Sequence, residues 1–141
     1  MKHLLDVNVL IALLDESHVH HKIALKWFAK PGLDWGVSAF TEAGFLRFMT
    51  NPEGGRRTME ATTAVLVDLA NQPGYRFWPD TEGWTTLAAP FIERMFGRHQ
   101  HIIDAYLLGL AVKEGGALVT MNRTIQVLAG TELRRHVMLL E

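Results

Sequence analysis

The stretch Met1 to Leu14, MKHLLDVNVLIALL, constrains this chain more than any other. It is a nearly unbroken apolar run and reads as a short buried strand feeding directly into an apolar helix. Asp6 and Asn8 stand at the hand-over, and they are its anomaly. A carboxylate in such a setting loses hydration and needs a hydrogen-bond donor or a cation. While the chain is still extended, Asp6 and Asn8 point to the same side, because strand side chains alternate. Open α/β folds bind their ligands at the C-terminal edge of parallel strands, so Asp6 is the first candidate for chemistry. A plainer reading stands beside this one: Asp6 or Asn8 caps the helix by satisfying its first free N–H groups.

Further short strands are expected at Trp35 to Ser38, Tyr75 to Trp78, Ala117 to Thr120 and Val137 to Leu139. Helical patterns fill the intervals: His18 to Lys30, Ala39 to Met49, Arg56 to Asn71, Thr81 to Phe96, Ile102 to Glu114 and Thr124 to Ala129. Pro31-Gly32, Asn51 to Gly55, Gln72 to Gly74 and Gly115-Gly116 punctuate them, and Pro90 should kink or break its helix. Apolar strands alternating with helices imply a three-layer α/β architecture, a short central parallel sheet flanked by helices. With 141 residues, 48% of them hydrophobic, the chain suits a single domain over 1–141 with a proper core. The absence of cysteine removes disulfides, thiolate metal sites and cysteine catalysis. Neither a membrane span nor a signal peptide is expected, which fits a cytoplasmic protein. The net charge of −1 argues against a broadly basic nucleic-acid binder but allows a basic rim around an acidic site.

Two further carboxylates interrupt apolar structure at the start of an element. Glu42 falls in the first turn of the helix after the second strand, and Asp104 in the first turn of HIIDAYLLGLA. Each alone is explained by the helix dipole, which favours an acid there by roughly 0.3–1 kcal/mol. Convergence of Asp6, Glu42 and Asp104 on one sheet edge would need more. Two unit charges about 4 Å apart repel by roughly 4 kcal/mol at an effective dielectric of 20, so such a cluster raises its pKa values or binds a cation. Hard oxygen donors point to Mg²⁺ or Mn²⁺. That chemistry, a metal-activated water acting on a phosphodiester, belongs to nucleases.

The successive segments LLDVNVLIALL, SAFTEAGFLRFMTNP and HIIDAYLLGLAVKEGGALVTMNR resemble, in order, the motifs of the PIN-domain ribonucleases. They are most similar to the VapC toxins of bacterial toxin–antitoxin pairs, and the similarity extends over essentially the whole chain, DESHVHHKIALKWF and PGYRFWPD included. The resemblance implies a PIN-like fold and a Mg²⁺- or Mn²⁺-dependent endoribonuclease that acts as a toxin. It also implies a cognate antitoxin and a homodimer. Asp6, Glu42 and Asp104 would be the catalytic, metal-holding acids, and Asn8 would support Asp6 or a metal-bound water. Where the family usually has a fourth acid, this chain has Asn122, which puts a second metal position in doubt. Asn122 can also be read as the cap of the following helix, with Thr120 on the same side of the strand end. Two rivals remain open: a PIN nuclease of RNA processing, and a non-catalytic RNA-binding or adaptor domain.

Arg47, Arg56, Arg57, Arg98 and Arg123 fall near motif ends and form a candidate phosphate-binding rim, with His101 as a further RNA contact; solvated charge is the plainer reading for most of them. Glu42 and Arg47 are five residues apart and should not pair, which leaves Arg47 free. His18, His20 and His21 read as a solvated helix start rather than a metal site. The four tryptophans are core candidates, Trp35 with some exposure, as are Phe45, Leu46, Phe48 and Met49.

Overall fold

In the computed structural model, which covers residues 1–141, four parallel strands form one sheet in the order β2-β1-β3-β4. The strands are β1 (Lys2–Leu5), β2 (Asp34–Gly36), β3 (Ala117–Thr120) and β4 (Val137–Leu139). The helices are α1 (Val7–Leu14), α2 (His21–Phe28), α3 (Ala39–Thr50), α4 (Met59–Leu69), α5 (Trp84–Ala88), α6 (Ile102–Lys113) and α7 (Thr124–Leu133). From β1 the chain moves outward on one side to β2, then crosses to the other side of β1 to make β3. The C-terminal ends of β1 and β3 therefore flank the point where strand order reverses, the crevice in which such sheets bind ligands.

Side-chain alternation along β1 and β3 divides the core. Leu4 and Leu118 pack with Phe91, Tyr106, Leu107, Leu110 and Ile125, on the α5–α7 side. Leu5 and Val119 pack on the other side with Val9, Trp27, Trp35, Phe45 and Leu69. All four of these strand residues are fully buried, which fits a parallel sheet covered on both faces. Continued one residue beyond β1, the same alternation turns Asp6 toward the face that α6 covers.

Several expected elements differ. Tyr75 to Trp78 is not a strand: only two isolated parallel bridges, Trp35 to Tyr75 and Ser38 to Trp78, tie it to the sheet edge. Gly36 permits this close pass, since a Cβ there would sit 1.6 Å from the Arg76 carbonyl oxygen. The Thr81 to Phe96 helix is broken. Only Trp84–Ala88 is α-helical, and Ala89–Met95, with Pro90 near its start, continues as a 3₁₀ turn. Trp35 is 1% exposed, edge-on to both Phe28 and Tyr75, with its indole N–H donating to the Pro73 carbonyl. Phe48, expected in the core, is 43% exposed, because α3 turns the face carrying Thr41, Phe45 and Met49 inward.

Candidate functional site

Asp6 sits between β1 and α1 as the N-cap of α1, its backbone still extended. Its N–H donates to the Val119 carbonyl at 2.9 Å, which fixes it against the end of β3. The carboxylate accepts from the Val7 N–H at 2.8 Å and from the Thr120 hydroxyl at 2.8 Å. The cap and the candidate for chemistry are thus one residue. Asp6 is 6% exposed and forms no ion pair with any cation of the chain. Burial, reinforced by the nearby Asp104 charge, pushes its pKa up to about 6; the bonds from Thr120 and Val7 pull the other way.

Asn8 lies in the first turn of α1, not in an extended segment, so it does not bond Asp6 as expected. Its amide oxygen accepts from the Met121 N–H at 3.2 Å and its NH₂ donates to the Thr120 hydroxyl oxygen at 3.4 Å. The same hydroxyl oxygen accepts from the Asn122 N–H at 3.0 Å. Thr120 is fully buried, and its proton is directed to Asp6 because its lone pairs face two donors. Asn8 acts on Asp6 through Thr120.

Asp104 enters from the first turn of α6. His101, at the residue preceding that helix, sets its Nδ1 3.4 Å from an Asp104 carboxylate oxygen. Burial raises the Asp104 pKa and His101 opposes the rise. Asp6 and Asp104 both line an open groove of about 500 Å³ with Asn8, Arg47 and Asn122. Phe40, Ile103 and Ile11 add an apolar wall, and Phe40 stacks on Tyr106 with ring centroids 4.7 Å apart. The Tyr106 hydroxyl is anchored on Asp80 at 3.0 Å.

Glu42 does not join the two aspartates: no three acidic or histidine side chains come close enough to hold one metal, and Glu42 does not line the groove. The reason is helical phase. Thr41 is pinned inward by its hydroxyl bond to the Leu5 carbonyl at 2.8 Å, so α3 turns Phe40, Ala43, Gly44 and Arg47 to the groove. Glu42 is about 200° around the helix from Gly44 and faces away. Its charge is felt by Tyr75, and partial burial raises its own pKa. Gly44 carries no mark in the sequence, yet it lets α3 approach α1: a Cβ there would lie 2.7 Å from a Val7 methyl. Phe40 and Ile103 likewise line the groove, with the buried Tyr106 ring against Phe40, and the sequence does not single them out. Only the 3–4 spacing of Phe40, Ala43, Gly44 and Arg47 carries a signal for the α3 face.

Asn122 lines the groove, but its carbonyl oxygen accepts from the Thr124 N–H at 3.1 Å and the Thr124 hydroxyl at 2.7 Å. The N-cap position of α7 itself is Arg123, and with its side-chain oxygen so occupied the group Asn122 has left for the groove is its NH₂. Of the five arginines, only Arg47 lines the groove. Arg123 pairs with Glu141, Arg56 donates to the Pro52 carbonyl, Arg57 lines a separate apolar pocket with Leu14 and Phe45, and Arg98 is exposed ahead of α6. His21 bonds the Ala12 carbonyl and His18 accepts from the His20 N–H, so this cluster is locally satisfied.

The donor set fits a hard divalent cation. Mg²⁺ is commonly held by one or two carboxylates, with waters and substrate phosphate completing its shell. Two carboxylates with raised pKa values, Asp6 buried and Asp104 half-buried, would be relieved by such an ion.

Comparison with known proteins agrees with this architecture. A family model described as "PIN domain" matches residues 3–130. Ribonuclease VapC38 of Mycobacterium tuberculosis (strain ATCC 25618 / H37Rv) is 38% identical over 129 residues, covering 89% of each chain. Ribonuclease VapC39 of Mycobacterium tuberculosis (strain CDC 1551 / Oshkosh) is 35% identical over 132 residues, covering 89% of this chain and 91% of its own. The crystal structure of Mycobacterium tuberculosis VapC20, described as a sarcin-ricin loop cleaving toxin, superposes with a TM-score of 0.69 at 16% identity, over 94% of this chain and 98% of that one.

Proposed function

We propose that this chain, which belongs to the PIN-domain family and there to the VapC ribonucleases, is a Mg²⁺- or Mn²⁺-dependent endoribonuclease acting as the toxin of a toxin–antitoxin pair. One observation carries the catalytic reading: Asp6 and Asp104, from elements far apart in sequence, line one groove, and Asp6 has no cation to balance it. When bound, a divalent ion supplies Lewis-acid stabilisation of the charge that builds on a phosphodiester and an acidified water as nucleophile. The protein's part is orientation. Val7 N–H and the Thr120 hydroxyl fix the two oxygens of Asp6, Asn8 fixes Thr120, and His101 steers Asp104. Burial keeps both acids reluctant to stand ionised alone, which raises their preference for a cation over bulk water. Glu42, expected among the metal-holding acids, does not line this groove.

The partners follow from the same reading: RNA as substrate, a cognate antitoxin, and a second copy in a homodimer, in the cytoplasm. No helix is long and apolar enough to cross a membrane. An antitoxin that placed an Arg or Lys between Asp6 and Asp104 would compete directly with metal. The test is RNA cleavage by purified protein with Mn²⁺ or Mg²⁺, its loss in EDTA, and growth arrest on expression relieved by co-expressing the neighbouring gene. A non-catalytic RNA-binding role is favoured by one feature, a groove with two carboxylates rather than three or four. Metal-independent RNA binding without cleavage would select it.

A further inference from the structure

We infer that the groove holds a pair of donors beside its carboxylates, the Arg47 guanidinium and the Asn122 NH₂, and that this pair grips the scissile phosphate of RNA in place of a second metal ion. The inference rests on the nuclease reading above and extends it to how substrate is held. Arg47 is the one cation lining the groove. It makes none of the chain's five ion pairs and no side-chain hydrogen bond. An arginine beside two carboxylates would ordinarily pair with one of them. Here α3 carries it to the groove one helical turn beyond Gly44, whose missing side chain brings the helix against Val7.

Asn122 supplies the second donor by elimination. Its oxygen is committed twice to Thr124 and its backbone N–H to Thr120, so the side-chain NH₂ is its remaining donor. An acid at this position would add charge for a second cation. The amide instead offers donors to an anion.

Charge arithmetic gives the same answer. Asp6 and Asp104 contribute two negative charges and Arg47 one positive, a net of −1. One divalent ion takes the groove to +1, which attracts a phosphodiester; a second would take it to +3 with no ligand charge to offset it. A planar guanidinium matches two phosphate oxygens, and an amide N–H can reach a third contact. Both would also stabilise charge developing on the phosphorus oxygens during hydrolysis.

The experiment has two arms with purified full-length protein. In EDTA, binding of a 2′-O-methyl RNA oligonucleotide is measured against salt for wild type, Arg47→Ala, Arg47→Lys and Asn122→Ala. Arg47→Ala should weaken binding and lower the log–log salt slope by about one, and Arg47→Lys should restore the slope. With Mn²⁺, Arg47→Ala should lose roughly 10- to 100-fold in kcat, the size of a lost charge-assisted bond, while calorimetry shows Mn²⁺ affinity unchanged or tighter. Unchanged oligonucleotide affinity and slope in Arg47→Ala overturn the inference, as does weakened Mn²⁺ binding, which would make Arg47 a structural support. Because the first arm contains no metal, a wild type that binds no Mn²⁺ refutes the metal reading and leaves the Arg47 result to stand or fall separately.

Discussion

Replacing Asp6 by Asn should stabilise the metal-free protein at neutral pH while removing its metal site. The buried carboxylate has its pKa raised from 3.8 to about 6. Between those values the folded chain keeps a proton that the unfolded chain has already released, so stability falls as pH rises through the window. Above pH 6 the full penalty applies, and a rise of this size corresponds to about 3 kcal/mol. An amide carries no such penalty and still accepts from the Val7 N–H. It cannot accept the Thr120 proton, whose oxygen already faces donors from Asn122 and Asn8, and that lost bond costs about 1 kcal/mol. The net gain is about 2 kcal/mol, or roughly 4–8 °C in Tm for a chain of this size.

Thermal melts of both proteins in EDTA at pH 4.5, 6 and 7.5 test the sum. Asn should equal or slightly trail Asp at pH 4.5, and the curves should diverge in favour of Asn above pH 6. The repulsion from Asp104 is already part of the raised Asp6 pKa and is removed with the Asp6 charge. The lowered pKa of His3, which works in the opposite direction, is common to both proteins and cancels in the difference. Added Mn²⁺ should raise the Tm of the wild type only. A Tm difference that is the same at every pH would refute the reasoning, because it would mean Asp6 does not titrate in the window its burial requires.

Other substitutions separate the parts of the site. Glu42→Gln should leave Mn²⁺ affinity and cleavage unchanged; loss of both on calorimetry and RNA assay would place Glu42 back among the metal ligands. Asn122→Asp should tighten Mn²⁺ binding and lower the metal concentration needed for cleavage, with little change in stability, since Asp caps about as well as Asn. Thr120→Val should cost about 1–3 kcal/mol on denaturant unfolding and weaken Mn²⁺ binding, because Asp6 loses its only side-chain donor. Gly44→Ala should destabilise by about 1 kcal/mol despite a better helix propensity, as the new methyl meets Val7, and it should shift Arg47 enough to lower kcat.

How much of this is legible in the sequence depends on whether a residue announces itself by chemistry or only by geometry. Asp6 and Asp104 are readable because a charge in an apolar run has few ways to exist. The strands β1 and β3 are readable because parallel strands covered on both faces are continuously apolar, and the half-buried edge strand β4 by its short Val-Met-Leu run. Tyr75 to Trp78 carries the same kind of signal yet forms only bridges: its alternation serves to pack Tyr75 and Trp78 against the sheet edge, not to extend a ladder. The Thr81 to Phe96 helix fails where Pro90 removes an N–H and tightens the backbone into 3₁₀ turns.

Glu42 shows what pattern alone lacks. Phe40, Phe45, Leu46, Phe48 and Met49 are spread so evenly around α3 that hydrophobicity does not fix which face turns inward. Its phase is set by one hydrogen bond, Thr41 to the Leu5 carbonyl, and by one missing side chain, Gly44 against Val7. Both involve partners more than thirty residues away, so neither is visible within the helix. Once that phase is known, Arg47 must face the groove if Gly44 does, and Glu42 must not. The acid that seemed to complete the site leaves the groove, and the rim arginine left free by its spacing enters it, through a single rotation of one helix, which is why the absence of Glu42 and the presence of Arg47 rest on the same geometry.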